Sequence, residues 1–337
     1  MLTVAITAPV GAASIGTAGL MDALNKADRA WALQAGASAP RLFDVCLVGL
    51  HGSGDNPLPV PCRDGVLLQP RTTASNLPTP DLVVIPGLDD DLDDSFVRNR
   101  GWVPWIAAWH RAGAVVASSC TGAFLAAEAG LLDGRSATTH WMFADLFHRR
   151  YPKVVLAADQ MIVDTGDVIS SGGATAFLTL VLYLVERFGG HERANLAAKV
   201  LLADANRSSQ LPYVAFGGER SHGDQLIHRI QQHIDGRLDQ PLRTGELAAR
   251  FALSTRTLCR RFQAATGRGP QAYLQHARVQ QAKRLLETTD DPIDQIRHSV
   301  GYHDPAAFRR AFHNATGLTP SDYRRRYGLP NNRSHTA

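Results

Sequence analysis

Apolar residues in the first two hundred positions fall in short, β-branched runs separated by longer stretches with helical spacing. The runs predict strands at residues 2–7, 44–50, 81–86, 114–119, 154–157, 161–164 and 168–171. The intervening stretches predict helices at residues 18–26, 103–111, 121–129, 141–149 and 174–188. Apolar strands that alternate with helices are typical of a doubly wound α/β domain, in which helices cover both faces of a mainly parallel sheet.

The pattern changes after residue 203. Residues 204–224 are rich in Asn, Ser and Gly, which predicts a linker. Residues 225–328 have helical spacing throughout and predict a separate all-α domain, and the polar residues 329–337 predict a flexible tail. We therefore expect an α/β domain over residues 1–203 and an all-α domain over residues 225–328.

The all-α domain contains an internal repeat with a spacing of 50 residues. The matching apolar pairs are Leu258 with Phe308, Phe262 with Phe312, and Tyr273 with Tyr323. In each copy a short helix meets a turn, and a second helix begins after Ser254 or Asp304 and ends at Gly267 or Gly317. This plan predicts two helix-turn-helix units, whose second helices lie in the major groove of DNA.

Charge separates the two halves of the chain in the same way. Residues 1–224 contain 17 Lys and Arg against 22 Asp and Glu, a balance of −5. Residues 225–337 contain 18 against 9, a balance of +9. A basic domain beside an acidic one favours nucleic acid as the partner of the basic domain.

The apolar positions of each second helix lie four residues apart and must face the core, so the opposite side is predicted to face DNA. The base-contacting candidates are Ser254, Thr255, Arg256, Cys259 and Arg260 in the first copy, and Ala306, Arg309 and Arg310 in the second. Arginine reads O6 and N7 of guanine together, whereas cysteine and alanine suit apolar features such as a thymine methyl group. We expect the arginines to dominate specificity.

Residues 225–328 resemble the DNA-binding domain of the AraC/XylS family, above all in the signature at residues 300–312 and 317–324. The resemblance implies two helix-turn-helix units joined by a long helix, here about residues 270–288, that enter successive major grooves. It implies double-stranded promoter DNA as partner, RNA polymerase as a possible further partner, and activation rather than repression. Arg324, Arg325 and Arg326 are expected to touch phosphate or to be solvated.

A cysteine marks the turn between the strand at residues 114–119 and the helix that follows it. A thiol at a helix N-terminus is expected to have a lowered pKa, and catalytic nucleophiles occupy such elbows. The segment around Cys120 resembles the class I glutamine amidotransferase-like superfamily in its ThiJ/PfpI branch, which has a flavodoxin-like fold. Residues 131–141, which end at His140 and Trp141, resemble the form of this domain found fused to AraC-type domains.

Three roles for Cys120 are open at this stage. A cysteine hydrolase or amidotransferase would use His140 as base, yet Ser118 stands where the family has glycine, and no acid follows the first strand. A redox sensor would signal by oxidation of the thiol. The interpretation that we favour is a non-enzymatic pocket for a small-molecule effector, since such folds bind ligands at the carboxyl ends of strands. Its expected lining is Pro9, Val10, Gly11, Gly87, Cys120, Thr121, His140 and Trp141.

Other features predict little chemistry. The acidic run at residues 89–94 lacks the turn-forming spacing of an oxygen-ligand cation site and is expected to be a solvated loop with helix-capping carboxylates. The four cysteines have no metal-type spacing, so we expect neither a metal nor a cofactor. We find no apolar run of membrane-spanning length and no signal peptide, and we expect a cytoplasmic homodimer paired through the α/β domain.

Overall fold

The computed structural model describes residues 1–36, 39–53, 56–204, 207–214 and 222–328. The chain divides into an N-terminal unit, Met1–Gln210, and a C-terminal unit, Leu211–Ala337. The expected linker, residues 204–224, is therefore shared between the two units, and its residues 205–206 and 215–221 lie outside the described residues. The expected flexible tail, residues 329–337, lies outside them as well.

The N-terminal unit alternates strands and helices. Its strands are β1 (Leu2–Thr7), β2 (Phe43–Gly49), β3 (Gly52–Ser53), β4 (Asn56–Pro57), β5 (Val60–Pro61), β6 (Leu67–Leu68), β7 (Thr72–Thr73), β8 (Leu82–Ile85), β9 (Val115–Ser119), β10 (Ser136–Ala137), β11 (Val155–Leu156), β12 (Ile162–Asp164) and β13 (Val168–Ser171). Its α-helices are α1 (Ser14–Ala35), α2 (Leu92–Asn99), α3 (Trp102–Arg111), α4 (Gly122–Glu128), α5 (Ala144–Arg150), α6 (Ala176–Gly189) and α7 (His191–Leu201).

Seven strands form the central sheet in the order β12-β13-β9-β8-β1-β2-β7. All neighbouring strands in it run parallel except β12 and β13. Every residue of β8 and of β13 is buried. The expected doubly wound, mainly parallel sheet is thus confirmed, because strands buried on both faces must be apolar without alternation.

Successive residues of the central strands supply two separate cores. Val83 and Ile85 of β8 pack in one core with Phe124 of α4, whereas Leu82 and Val84 pack in the other with Leu180 of α6. This separation follows from the strand geometry, which points successive side chains to opposite faces. Helices α3, α4 and α5 therefore cover one face, and α1, α6 and α7 cover the other.

The structure corrects three of the expected elements and adds one helix, α7. The strand expected at residues 154–157 is β11, which pairs with β10 in a separate two-stranded sheet. The helix expected at residues 141–149 begins as a 3-10 turn, Trp141–Phe143. Helix α7 was not expected; it is short, and Gly190 alone separates it from α6. The acidic run was expected as a loop with helix-capping carboxylates: its last residues instead lie in α2, but the expected cap is confirmed, because the Asp91 carboxylate accepts from the Asp94 amide at 3.2 Å.

The C-terminal unit is helical throughout its described residues. A 3-10 turn, Leu211–Tyr213, precedes α8 (Gln225–Asp235), α9 (Thr244–Arg250), α10 (Thr255–Thr266), α11 (Pro270–Thr288), α12 (Ile293–Ser299), α13 (Pro305–Thr316) and α14 (Pro320–Tyr327). No helix in the described part of either unit combines the length and the apolar character that a bilayer crossing requires.

Each helix-turn-helix has its own core. Leu258 and Phe262 of α10 pack with Tyr273 of α11, whereas Phe308 and Phe312 of α13 pack with residues of the C-terminal half of α11. Helix α11 therefore contributes to both cores and joins them. The all-α tandem arrangement expected from the repeat is confirmed.

Candidate nucleic-acid interface and sensor pocket

The two predicted recognition helices, α10 and α13, begin and end in the same way. The Ser254 hydroxyl accepts a hydrogen bond from the Thr257 amide at 3.1 Å, and the Asp304 carboxylate accepts from the Ala306 and Ala307 amides at 3.0 and 3.1 Å. Both helices end at a glycine in the left-handed region, Gly267 with φ 72° and Gly317 with φ 69°. A helix that starts at a side-chain cap and stops at such a glycine has fixed ends.

The buried and exposed sides of these helices also correspond. The buried set is Leu258, Phe262 and Thr266 in α10, and Phe308, Phe312 and Thr316 in α13. The exposed predicted residues are Ser254, Thr255, Arg256, Arg260, Ala306, Arg309 and Arg310, and Cys259 is half-buried on the same side. The structure thus brings all eight candidates to the surface opposite the two cores, and their contact with bases stays a prediction.

Most of these arginines are unpaired within the described part of the chain. Arg256, Arg260 and Arg309 form no ion pair there, and Arg310 lies 4.0 Å from the Asp304 carboxylate with both side chains exposed. Arg261, one position further along α10, differs because both its Nε and Nη2 atoms bond the Asp224 carboxylate. The unpaired guanidinium groups keep their donors available for guanine or phosphate.

The arginines near the C-terminus have structural partners. Arg324 donates to the Asp291 carbonyl at 2.7 Å, Arg325 forms an ion pair with Asp322, and Arg326 donates to the Tyr213 hydroxyl at 3.2 Å. The expectation that these three are solvated or bound to phosphate stays a prediction: Arg325 and Arg326 are exposed and Arg324 is half-buried, and Arg324 and Arg326 also have partners outside α14. Both hold α14 against other parts of the C-terminal unit.

Cys120 lies at a strained elbow between β9 and α4. Its φ angle is 58°, in the left-handed region that residues with a side chain rarely adopt. Its amide lies 3.0 Å from the Ser171 carbonyl oxygen and 3.1 Å from that of Gly172, and its own carbonyl accepts from the Thr139 hydroxyl at 2.9 Å. Surrounding hydrogen bonds hold the strained backbone in place, which is typical of functional elbows.

The predicted pocket residues Gly87 and Thr121 lie beside this elbow. A Cβ atom on Gly87 would lie 3.2 Å from the Cys120 Cβ atom and 3.5 Å from its Sγ atom. The Thr121 hydroxyl accepts from the Leu88 amide at 2.7 Å and lies 3.1 Å from the Leu88 carbonyl oxygen. The Thr121 hydroxyl thereby connects the segment that follows β8 to the segment that follows β9, next to Cys120.

His140 and Trp141 follow directly after Thr139, whose hydroxyl donates to the Cys120 carbonyl. The His140 ring lies so close to Gly173 that a Cβ atom there would be 1.6 Å from Cδ2. Its Nδ1 atom accepts from the Met142 amide at 3.0 Å, and the His140 and Trp141 ring centroids are 5.3 Å apart. Because a backbone amide can only donate, Nδ1 is the unprotonated nitrogen of the ring, and the neutral ring carries its proton on Nε2.

Burial controls the ionisation of both groups. Burial raises the pKa of the Cys120 thiol, although the amides of Ala174 and Thr121 act in the opposite direction. Burial likewise lowers the pKa of His140, with the charge of Asp90 opposing the change. The expectation of a lowered thiol pKa is therefore wrong, because the loss of hydration outweighs the helix N-terminus.

The loop that follows β1 contains the remaining predicted pocket residues, and its hydrogen bonds connect it to α2. The Val10 amide donates to the Asn99 Oδ1 atom at 2.8 Å, and the Asn99 amide group donates to the Val10 carbonyl at 2.9 Å. Gly11 has φ 78° and borders the ion pair of Arg98 with Asp89. The described contacts connect Val10 and Gly11 to α2 and its entry; Pro9, the remaining loop residue of the expected lining, is buried.

Sequence reasoning missed several residues of the site. Gln210 lay in the expected linker but is buried against the loop that carries His140. The electrostatic effect of Asp90 on the site was missed as well: this residue is exposed, as expected for the acidic run, and ion-paired with Arg63 at 2.8 Å, yet its charge acts on both Cys120 and His140. No group of three or more His, Cys, Asp or Glu side chains among the described residues is arranged to hold a metal ion.

This geometry defines a flavodoxin-like domain with a cysteine elbow, followed along the chain by a tandem helix-turn-helix domain. Residues 3–187 match the model of the DJ-1/PfpI family, and residues 247–326 match a helix-turn-helix domain model. The chain belongs to the DJ-1/PfpI family. Both expected resemblances, to the ThiJ/PfpI branch and to an AraC-type DNA-binding domain, are confirmed.

Individual relatives fall into more than one class. The HTH-type transcriptional regulator CdhR of Pseudomonas aeruginosa is 30% identical over 227 residues, which are 66% of this chain and 66% of the relative. The match therefore spans slightly less than two thirds of that protein. Isonitrile hydratase of Pseudomonas putida is 31% identical over 147 residues, 41% of this chain and 59% of the enzyme. A solved structure of a candidate transcriptional regulator from Vibrio parahaemolyticus is 26% identical with a TM-score of 0.50, covering 59% of this chain and 98% of that one.

Proposed function

We propose that this chain is a sequence-specific DNA-binding transcription regulator, acting as an activator, whose N-terminal unit senses a small molecule. The observation that carries the proposal is the repeated recognition helix: α10 and α13 have the same length, the same cap position and the same buried positions, and each has exposed arginines on the opposite side. A pair of merely solvated helices has no need for these repeated features. The similarity to a named HTH-type regulator supports the same class.

Removal of single arginines tests the DNA-binding part. Arg260→Ala and Arg310→Ala should each cost about 1–3 kcal/mol at a selected site, and each should relax the preference at one base pair. Arg149→Ala in α5 removes an equal charge from an exposed position of the N-terminal unit and serves as control. Equal weakening on all sequences would mark the two arginines as phosphate contacts, and no change would remove them from the interface.

The sensing part rests on the residues that meet at the carboxyl ends of β8 and β9, where doubly wound folds bind ligands. A thermal-shift screen of the full chain against amino acids, amines and betaines should find a compound that raises the unfolding temperature. Trp141→Ala should abolish the shift, whereas Met142→Ala, at an exposed neighbouring position, should keep it. A compound whose shift survives Trp141→Ala binds elsewhere and contradicts the assigned pocket.

We propose further that Cys120 is not the nucleophile of a hydrolase. Nucleophilic cysteine needs a base that can accept its proton, and the acceptor nitrogen of His140 is already engaged by the Met142 amide. The similarity to isonitrile hydratase favours cysteine chemistry as a second candidate. Promoter activation by Cys120→Ala, together with no turnover of isonitriles, thioesters, amides or glutamine by the native chain, would exclude it.

A redox role for Cys120 is the third candidate. Its raised pKa leaves little thiolate at neutral pH, so reaction with peroxide should be slow. Peroxide that changes promoter occupancy in the native chain but not in Cys120→Ala would favour this role. Pairing of two N-terminal units and contact with RNA polymerase stay predictions, and light scattering of the purified chain tests the first.

A further inference from the structure

Gln210 is the last residue of the N-terminal unit, and its side chain is 2% exposed. The Nε2 atom lies 2.8 Å from the Thr139 carbonyl oxygen and 3.0 Å from that of Gln160. It also lies 3.1 Å from both the Thr138 hydroxyl and the Ala158 carbonyl oxygen. One buried amide group therefore joins two separate segments of the chain, residues 138–139 and residues 158–160.

The same side chain reaches the segment that carries the predicted ligand-binding residues. Its Oε1 atom accepts from the Trp141 amide at 3.4 Å, so Gln210 contacts the backbone on both sides of His140, at Thr139 and at Trp141. The position of the His140 ring is thus set by a loop that Gln210 holds at two points.

Gln210 also packs against the backbone that supports the elbow. A Cβ atom on Gly172 would lie 2.5 Å from the Gln210 Cδ atom, so this contact requires glycine. The Gly172 carbonyl in turn accepts from the Cys120 amide at 3.1 Å. Only one residue therefore separates the Gln210 side chain from the strained elbow.

The backbone around Gln210 is fixed as well. Its amide donates to the Asp159 carbonyl at 2.7 Å, the Ser209 hydroxyl donates to the same carbonyl at 3.0 Å, and the Met161 amide donates to the Ser208 carbonyl at 3.0 Å. The next residue, Leu211, is the first of the C-terminal unit. The chain therefore leaves the N-terminal unit at the residue that touches the site.

We propose that Gln210 is the positioning residue through which occupancy of the Cys120–His140–Trp141 site is transmitted to the segment that enters the DNA-binding unit. The proposal rests on the proposed sensing function. A change in the loop at residues 139–141 alters the acceptors and the donor that hold Gln210, and so alters how firmly residues 207–210 are held. Residues 207–210 then have two arrangements, one held firmly and one held loosely. A ligand that binds one of them more tightly shifts the chain toward that arrangement.

Hydrogen exchange measured by mass spectrometry on the full chain tests the proposal without a known ligand. The probe is the substitution Cys120→Met, which puts a larger side chain at the elbow. It is introduced into the native chain and into the Gln210→Leu variant. In the native background the probe should change exchange both at residues 139–141 and at residues 207–214, by about tenfold. In Gln210→Leu the change at residues 207–214 should disappear while the change at residues 139–141 persists.

Two further variants separate coupling from simple structural damage. Gln210→Glu keeps the length of the side chain but removes the donor that faces four oxygens, and it should uncouple the segments like Gln210→Leu. Ser209→Ala removes one neighbouring hydrogen bond and should leave the coupling intact. Rescue of coupling in Gln210→Glu, equal responses in all backgrounds, or no response at residues 207–214 of the native chain would overturn the proposal.

Affinity for the selected DNA gives a second readout that a merely structural role would not move. The Cys120→Met probe should change DNA affinity at least about fivefold in the native background and less than about twofold in Gln210→Leu, within the usual range of allosteric coupling. Equal changes in both backgrounds would contradict the transmission. If no variant binds DNA at all, the proposed function fails, and the exchange experiment still decides the role of Gln210.

Discussion

The two helix-turn-helix units share a scaffold and differ on the exposed side. Helices α10 and α13 both have 12 residues, and their buried positions coincide under the 50-residue repeat. The exposed positions do not, because Arg256 corresponds to Ala306 and Cys259 corresponds to Arg309. Only Arg260 and Arg310 match. Packing therefore fixes the frame of each unit, and the side chains that differ between the units are those that packing leaves free.

The largest predicted effect concerns the shared frame. Phe262→Ala and Phe312→Ala each remove a fully buried ring at the same position of the repeat, and each should cost about 3–5 kcal/mol of unfolding free energy. The two losses should be similar, because the rings occupy the same position of the repeat. They should also be nearly additive, because the rings lie in different cores. Chemical denaturation of the full chain measures both. A loss below about 1 kcal/mol at either site would contradict equivalent packing.

A second prediction concerns the exposed position that holds Cys259 in α10 and Arg309 in α13. Cys259→Arg gives α10 the residue that α13 has at this position, and it should raise the preference for guanine at one base pair by about 1–3 kcal/mol. Selection from randomised DNA measures the change. Gln263→Arg, one turn further along the exposed side of α10, is the matched control. The same uniform gain of affinity in both variants would show charge attraction rather than base reading.

A smaller loss of stability is predicted for removal of the two helix caps, Ser254 and Asp304. Ser254→Ala and Asp304→Ala should each lower stability by about 0.5–2 kcal/mol, because each removes a side chain that accepts from amides at the helix start. Asp304→Ala should cost more, since its carboxylate accepts from two amides and is charged at a helix N-terminus. Thermal unfolding of both variants measures the order. A larger loss for Ser254→Ala would contradict it.

The smallest predicted effect is the pH dependence of an ion pair at a position where the two units differ. Hydrogen bonds from Arg261 hold the pKa of Asp224 below its usual range, whereas Ala311 occupies the matching position of α13. Because the pKa of Asp224 is lower in the folded chain than in the unfolded chain, its carboxylate stabilises the folded state at pH values above the unfolded pKa, near 4. This contribution disappears as the pH falls through the lower, folded-state pKa. Asp224→Asn should therefore reduce the loss of stability that sets in as the pH falls below about 4, by less than about 1 kcal/mol. An unchanged acid transition would exclude the pair as a cause.

Local sequence patterns predicted those parts of the fold that local physics decides. Buried parallel strands are apolar along most of their length, so β1, β8, β9 and β13 were recognisable as runs. The recognition helices were recognisable because caps and terminal glycines occur at fixed offsets in the repeat. Strand 154–157 was assigned correctly as extended but not as part of a separate sheet, since pairing partners are a long-range property.

The missed features of the site have the same origin. Gln210 carries no local signal, because a polar residue in a polar stretch looks like a linker until its acceptors, up to 72 residues away, are in place. The direction of the Cys120 pKa shift was predicted from the helix N-terminus alone, whereas burial by distant segments decides it. Sequence reasoning found the elbow and the loop, but it could not find what holds them together.

The most direct test of the account is a hydroxyl-radical footprint of the full chain on its selected DNA. Two units that read successive major grooves should protect two patches on one face of the duplex, about 10 base pairs apart. Arg260→Ala should weaken one patch and Arg310→Ala the other. A single continuous patch, or the same loss of both patches in each variant, would contradict the claim that the repeated helices read DNA as two separate units.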